Sequence, residues 1–465
     1  MAMLGEPAGM QETESRGLPA VPDVLELLDR VPVAAEGPGM IDQLRLLEDL
    51  KSAAAALQAR IAVAFDAAER RDQAAAGVPS GELGTGVAAQ IALARRESPA
   101  RGGRLLGLAR ALVTEMPHTL AALQRGQLNE WRATLLVRET ACLSAADRCA
   151  VDEELGTDSG GLAGAGDRAI LAAVRTAAYR RDPRSVAQRA SHAASERAVS
   201  LRPAPDTMTY LSALLPVAQG VAVHAALTRE ADSLRSAGDG RSRGQIMADS
   251  LVERVTGTPG GVTSIEVQLV MTDRTLFQGD SEPARLAGYG IIPAESARAA
   301  VVGGAVPAPE STPTPEVFLR RLYTAPGSGE LVALDSRARL FPPGLRRMLQ
   351  VRDDVCRTPY CDAPIRHHDH VLAWHRGGAT TARNGQGLCE ACNHAKESPG
   401  WSATPVPGSR HTVELRTPTG HGYRSTAPPL PGTSPLETAP LSSGTMSRTM
   451  SQEAPPTDHQ LPVPA

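Results

Sequence analysis

Aromatic residues are scarce in this chain: four Phe, three Trp and six Tyr, 3% of 465 residues. A core so poor in rings must be built from Ala, Leu and Val, which favours helices. Lysine is nearly missing. Lys51 and Lys396 are the only two, and every other basic residue is Arg. That bias runs through the whole chain, so the choice of Arg over Lys says little about function. Neither charge sign dominates; the formal net charge of -3 argues neither for nor against a nucleic-acid partner. No apolar run is long enough for a bilayer. The longest, Leu211 to Leu227, is interrupted by Pro216, Gln219 and His224, and it falls short of the roughly 20 residues a membrane helix needs. The N-terminal stretch carries acids and no apolar core, unlike a secretory signal. The expectation is a soluble, cytoplasmic protein with no membrane partner. In a reducing compartment, paired cysteines are read as metal ligands before disulfides.

The length suits two or three domains. Residues 1–38, rich in Gly, Pro and Glu, read as a disordered leader. A helical domain follows over 39–260. Its first long helix carries Leu47, Leu50, Ala54, Leu57, Ile61 and Ala64 at spacings of three and four, one apolar seam. That seam can pair with a neighbouring helix of the chain or with a second subunit as a homodimer; intramolecular packing is the default. Ser98-Pro99 and Pro117 mark helix starts. Residues 169–194 and 221–255 read as further helix. Cys142 and Cys149, seven apart, read as two small buried thiols on one helical face. Residues 261–335 form a mixed segment with a strand from Ile265 to Met271, a Pro- and Gly-rich linker over 300–315 and a second strand from Leu331 to Leu334. A hairpin is expected over 406–430, and the Pro-, Ser- and Thr-rich residues 431–465 read as a disordered tail.

The chemistry lies at 336–405. Four of the six cysteines are here as two pairs, Cys356 with Cys361 and Cys389 with Cys392. Five of the eleven histidines lie between His367 and His394. From Arg337 to Arg383 there are nine arginines against four aspartates, a local excess that suits a phosphate backbone. The cysteine spacings supply four thiolates for a tetrahedral Zn²⁺. The segment between the pairs is too small and too polar to fold on its own core, and zinc binding, worth on the order of 10 kcal/mol, can supply the difference.

Asp369 and His370 are adjacent. On a strand their side chains point to opposite faces and can serve different partners. Asn393 follows the last cysteine at the start of a helix. A carboxylate and an amide oxygen make a hard-ligand site suited to Mg²⁺ or Mn²⁺, with His394 a reserve ligand about 100° around the helix. His370, with an ordinary pKa of ~6.5, is available as a general base towards water. Asn384 is read as a brace that bonds the backbone and holds His370. His375, Arg376 and Lys396 are candidate phosphate contacts. Together these residues suit one-metal phosphodiester hydrolysis.

The run Asp369-His-Val-Leu-Ala-Trp-His-Arg-Gly-Gly378, followed by Asn384-Gly-Gln-Gly-Leu-Cys389, resembles the HNH endonucleases of the ββα-metal class. His370 stands at the first motif position, Asn384 at the middle and Asn393 at the last, where many members carry His. The segments Leu93-Ala-Arg-Arg-Glu-Ser-Pro99, Trp131-Arg-Ala-Thr-Leu-Leu-Val137 and Thr417-Pro-Thr-Gly-His421 are similar to the actinobacterial repeat-type HNH proteins. The likeness covers roughly residues 40–430. It implies DNA as substrate, a cut strand bearing a 5′-phosphate, and an N-terminal helical domain of unknown function. The expected fold is therefore α+β: a mostly helical N-terminal domain, then a small zinc-stabilised ββα-metal module, with disordered termini. The expected function is metal-dependent DNA cleavage. The alternative is a zinc module on a helical scaffold that binds nucleic acid without cutting it.

Overall fold

The structure is a computed structural model that describes residues 21–156, 162, 164–257, 268–302, 339–408 and 410–432. The chain divides into two units, Met1–Arg197 and Ala198–Ala465.

Among its described residues the first unit has helices and no strand. Its elements are α1 (Val21–Asp29), α2 (Gly37–Ala75), α3 (Val87–Ala94), α4 (Pro99–Thr114), α5 (Pro117–Gln124), α6 (Glu130–Glu139), α7 (Ala145–Gly156), α8 (Asp167–Arg181) and α9 (Pro183–Ala193). The core is aliphatic, with Leu112, Met116, Leu123, Leu136, Ile170 and Val174 all but fully buried. Helix α2 packs on α4 and α5 through small residues, Ser52, Ala56 and Ala59. The Leu47–Ile61 seam is on the other side, with Leu47, Leu50, Leu57 and Ile61 exposed. Small side chains let helix axes approach closely, so the body of the unit takes the Ala/Ser stripe rather than the leucines. Two buried carboxylates bind the helices together. Asp66 accepts from Arg70 Nε at 3.0 Å and Arg110 Nη2 at 2.6 Å. Asp152 caps α5, accepting from the His118 and Thr119 amides at 2.7 and 2.9 Å, where the helix N-terminus favours negative charge.

Several boundaries differ from the sequence reading. The leader expected to be disordered contains α1, which the apolar residues Val24, Leu25 and Leu28 place on one helical stripe. The helix expected over 169–194 is two helices. Asp182 ends the first, and its side chain caps the next by accepting from the Ser185 amide, with Pro183 at the first helical position. The stretch 221–255 is likewise broken, since Gly238 takes φ +98 between two helices. Cys142 lies in the turn between α6 and α7 and Cys149 is exposed, so the buried thiol pair does not exist.

The second unit begins with an antiparallel hairpin, β1 (Ala198–Pro203) and β2 (Thr209–Leu214), and the helix pair α10 (Val217–Ser236) and α11 (Arg243–Thr256). Next come β3 (Leu269–Val270), α12 (Asp273–Phe277), β4 (Ala284–Leu286), β5 (Gly290–Ile292) and α13 (Ala294–Val302), with the three strands in one small sheet. Ile265 and Val267, the 303–315 part of the linker, the Leu331–Leu334 strand and the tail beyond 432 lie outside the described residues.

The C-terminal part of the unit holds α14 (Pro343–Asp353), β6 (His367–His370), β7 (Gly385–Leu388), α15 (Glu390–Lys396), β8 (Ser402–Val406), β9 (Thr412–Arg416) and β10 (Gly422–Thr426). Strands β6 and β7 pair antiparallel, His370 opposite Gly385 and Asp369 opposite Gln386. Helix α14 buries Leu345 and Leu349 with Phe341 and Ala382. It approaches β7 so closely that a Cβ on Gly385 would meet Phe341 at 2.8 Å and Leu349 at 2.9 Å. The end of α14 is tied down by charge. Arg352 donates to the carbonyls of Ala382 and Gly385 at 2.6 and 2.7 Å. Asp353 accepts from the Gly387 amide at 2.8 Å and pairs with Arg352 at 2.7 Å. Strands β8, β9 and β10 form a second sheet. Arg357 reaches it through the carbonyl of Ser425 at 2.6 Å, and the His411 ring donates from Nε2 to Arg383 O at 2.9 Å.

Candidate functional site

The four cysteines form one buried cluster, their sulfurs within 4.8 Å of one another. Cys361 Sγ and Cys389 Sγ are 3.7 Å apart. Four Zn–S bonds of about 2.3 Å at tetrahedral angles would separate sulfurs by about 3.8 Å. Two turns make the cluster. Tyr360 adopts φ +64 as the Cys361 amide folds back onto Thr358 O at 3.1 Å. At the other pair, Cys389 is the N-cap of α15, its sulfur accepting from the Cys392 amide. Hydrogen bonds from the Cys361 and Cys392 thiols hold the Cys356 thiol down at about 2. Their bonds to Cys356 push Cys361 up to about 12 and Cys392 up as well. Sulfurs this crowded cannot all ionise without a cation among them. The four cysteines are positioned to bind a zinc ion.

Zinc at Cys389 and Cys392 would set the start of α15, and α15 packs on β6. The closest link is Lys396 Nζ to Asp369 Oδ2 at 2.9 Å. That oxygen is buried, and the Lys396 ammonium is its ion-pair partner. Lys396 also donates to His370 O at 3.1 Å and Glu397 Oε1 at 2.7 Å. Asn393 lies three residues before Lys396, on the same helix face. Its Oδ1 is buried without a partner. The Asp369 carboxylate thus has an ammonium partner, while the Asn393 amide oxygen has none; both are oxygen donors of the kind a hard divalent cation takes. His394 is exposed on another face of α15.

His370 points to the opposite side of β6 from Asp369 and is 7% exposed. Its ring packs on Phe341 and Trp374, at centroid distances of 4.6 and 5.9 Å. Burial pushes its pKa below the ordinary range, with Lys396 and Arg339 adding to the shift against the pull of Asp369. Nε2 is 2.9 Å from Thr380 Oγ1, and that hydroxyl donates to Arg339 O at 3.3 Å.

The Asn384 side chain places its hydrogen bonds on backbone and not on the His370 ring. It closes the loop that follows it: Oδ1 accepts from the Leu372 amide at 2.8 Å, and Nδ2 donates to Leu372 O and Ala379 O at 3.0 and 2.9 Å. Gly378 is needed for this closure, because a Cβ there would stand 1.8 Å from Leu372 O. His375 and Arg376 are exposed in the short 3₁₀ turn Trp374–Arg376. Burial raises the Glu397 carboxyl, but its bond to Lys396, with His375 and Arg376 nearby, holds it below the usual range.

Residues 356–398 match the family model for HNH endonuclease. No curated protein and no solved structure matches the chain. The HNH domain carries the four-cysteine cluster within it and points to a nuclease or nucleic-acid-binding role. The folded environment of the HNH domain is wider than the match, since α14 and β8–β10 are bonded to it through Arg352, Asp353, Arg357 and His411. No helix among the described residues is long and apolar enough to cross a membrane.

Sequence reasoning missed three features of the HNH site: the buried Thr380 hydroxyl on His370, the Lys396 ion pair with Asp369, and the Arg352–Asp353 clamp on β7. The sequence offers Lys396 as a phosphate contact, whereas in the fold it faces protein oxygens. The spacing between Asp369 and Lys396 carries no local signal, because only the packing of α15 on β6 brings them together.

Proposed function

We propose that this protein is a metal-dependent DNA endonuclease acting through residues 356–398. The observation that carries the reading is a buried, unpartnered amide oxygen, Asn393 Oδ1, on the helix whose Lys396 pairs with the Asp369 carboxylate, across β6 from a buried imidazole whose burial lowers its pKa and favours the neutral form. Asp369 and Asn393 would hold Mg²⁺ or Mn²⁺, which when bound supplies positive charge beside the scissile phosphate. His370 takes a proton from water, whose oxygen attacks phosphorus. The P–O3′ bond breaks, and O3′ leaves with the bonding electron pair and takes a proton from solvent water, giving a 5′-phosphate and a 3′-hydroxyl. Asn384 holds the loop after His370 so that the ring keeps its place. His375 and Arg376, exposed beside the site, bind neighbouring phosphates. The zinc cluster holds the start of α15, and with it Asn393.

The test is cleavage of plasmid DNA with Mg²⁺ or Mn²⁺. His370→Ala should lose about two to four orders of magnitude in rate. Equal rates in mutant and parent would remove His370 from the chemistry. A second reading has one observation in its favour. Lys396 already neutralises Asp369, as it would in a zinc module that binds nucleic acid without cutting. That reading requires DNA binding with no cleavage under any divalent metal.

A further inference from the structure

Helix α2 repeats its apolar residues every seven positions. Leu47, Ala54 and Ile61 take one place in the heptad, and Leu50, Leu57 and Ala64 the other, the 3.5-residue repeat of a coiled-coil seam. All six are exposed, although four of them are large and apolar. The seam runs about 26 Å along the helix. The opposite side of α2 carries Ser52, Ala59 and Asp66, also seven apart, which are buried. The seam therefore faces away from the helices that α2 packs on. Its N-terminal end is closed by the chain itself. The next seam position is Gln43, which accepts from the Ala34 amide at 2.9 Å and donates to Pro32 O at 2.7 Å.

We infer that this seam is the contact between two copies of the chain, paired antiparallel about a two-fold axis that crosses α2 between Ala55 and Ala56. A two-fold contact must be complementary to itself, and the spacing of this row meets that condition. Turned end for end, Leu47 faces the partner's Ala64, Ala54 the partner's Leu57 and Leu50 the partner's Ile61. Leucine thus meets alanine in the layers where space must be shared. Parallel pairing would set Ala54 on Ala54 and Ala64 on Ala64 and leave voids there. The flanks agree. In the antiparallel pair Leu44 meets the partner's Phe65 and Leu46 the partner's Ala67, while Lys51 and Arg60 lie beside the partner's Gln58 and Ala53. No like charges are opposed. In a parallel pair Lys51 would face the partner's Leu46, and Arg60 the partner's Phe65. The exposed parts of the seam with Leu44 and Leu46 offer roughly 600 Å² of apolar surface per copy, and the stems of Lys51, Gln58 and Arg60 extend it to the ~800 Å² per partner of a standard interface. The inference concerns the helical unit and does not depend on the nuclease reading.

The test is the mass of the full, zinc-replete chain by sedimentation equilibrium at micromolar concentration. The parent, 48.7 kDa as a monomer, should sediment as a dimer. Leu57→Glu sets a carboxylate of each copy close to the axis and alters no buried residue. It should raise the dissociation constant at least about 100-fold with an unchanged circular dichroism spectrum. A monomeric parent overturns the inference, whether another part of the chain or another protein covers the seam. A dimer equally stable in Leu57→Glu also overturns it, since the contact would then lie elsewhere. Disulfides read the orientation, in a chain that carries Cys142→Ser and Cys149→Ser. Leu47→Cys with Ala64→Cys should give a covalent dimer on oxidation. Leu47→Cys alone should not, because its two copies stand about 26 Å apart along the axis. A covalent dimer from Leu47→Cys alone overturns the antiparallel pairing. Should Leu57→Glu fail to fold, the cysteine pair decides alone: a chain that stays free of the cross-link overturns the inference.

Discussion

Lys396 Nζ stands 2.9 Å from Asp369 Oδ2, with Lys396 only 7% exposed in its side chain and Asp369 23%. A dication entering at Asp369 therefore meets a fixed positive charge. At about 4 Å and an effective dielectric of ~20 such a repulsion is of order several kcal/mol before relaxation. Lys396→Met should tighten Mn²⁺ binding at the zinc-replete protein by about tenfold or more, and Asp369→Ala should abolish it. Titration followed by the electron paramagnetic resonance of free Mn²⁺ reads both. Unchanged affinity in Lys396→Met would show that the ammonium and the cation do not compete.

Zinc should be inseparable from the fold of the HNH domain. Cys389 is both a cluster member and the N-cap of α15. Cys389→Ser should release about one zinc per chain and unfold α15 with β6 and β7. A chelator should do the same to the parent, while the helical first unit keeps its circular dichroism. Metal analysis beside hydrogen exchange checks this. A variant that retains both its zinc and its protected β7 amides would refute the four-ligand site.

Two buried histidines give opposite experiments the same sign. For cleavage, the base must be neutral, and burial lowers the pKa of His370. The rate should rise with pH through a midpoint below ~6.5 and be level above it. For stability, His411 is pushed down to about 4, chiefly by burial. The unfolded chain binds that proton at ~6.5, so stability is full above pH ~6.5 and declines as pH falls towards 4. The single group carries on the order of 3 kcal/mol across that window. Thermal melts of the parent at pH 7.5 and 5 should differ in that sense, and His411→Gln should shrink the difference. A pH-independent melting point would remove His411 from the account.

Asn384→Ala should lower both stability and rate. It deletes three hydrogen bonds that close the loop after His370 and leaves the Leu372 amide without its partner in a site that is 8% exposed at Asn384. The cost should be about 2–3 kcal/mol in denaturant melts. A variant as stable as the parent would mean the loop is held by other contacts.

How much was legible can be followed residue by residue. The cysteine pairs could be read because each chelates through a local turn, and turn geometry is a property of a few adjacent residues. Asp369 and His370 could be placed on opposite faces because strand alternation is also local. Helix ends were harder. Asp182-Pro183 and Gly238 interrupt runs whose apolar pattern continues on either side, so periodicity alone carried the helices through them. The orientation of α2 was not legible at all: its leucines and its alanines each form a stripe, and only the neighbouring helices choose between them.

The amino-acid sequence by itself determined the chemistry on offer: four thiolates at chelating spacings, a carboxylate next to an imidazole, and an amide one residue past the last sulfur. Those follow from side-chain type and short spacing, which act within a turn. Tertiary structure alone decided what each group meets. It set Thr380 against His370, Lys396 against Asp369, and Arg352 and Asp353 across β7, because partners between 10 and 34 residues apart meet only when strand, helix and loop pack together.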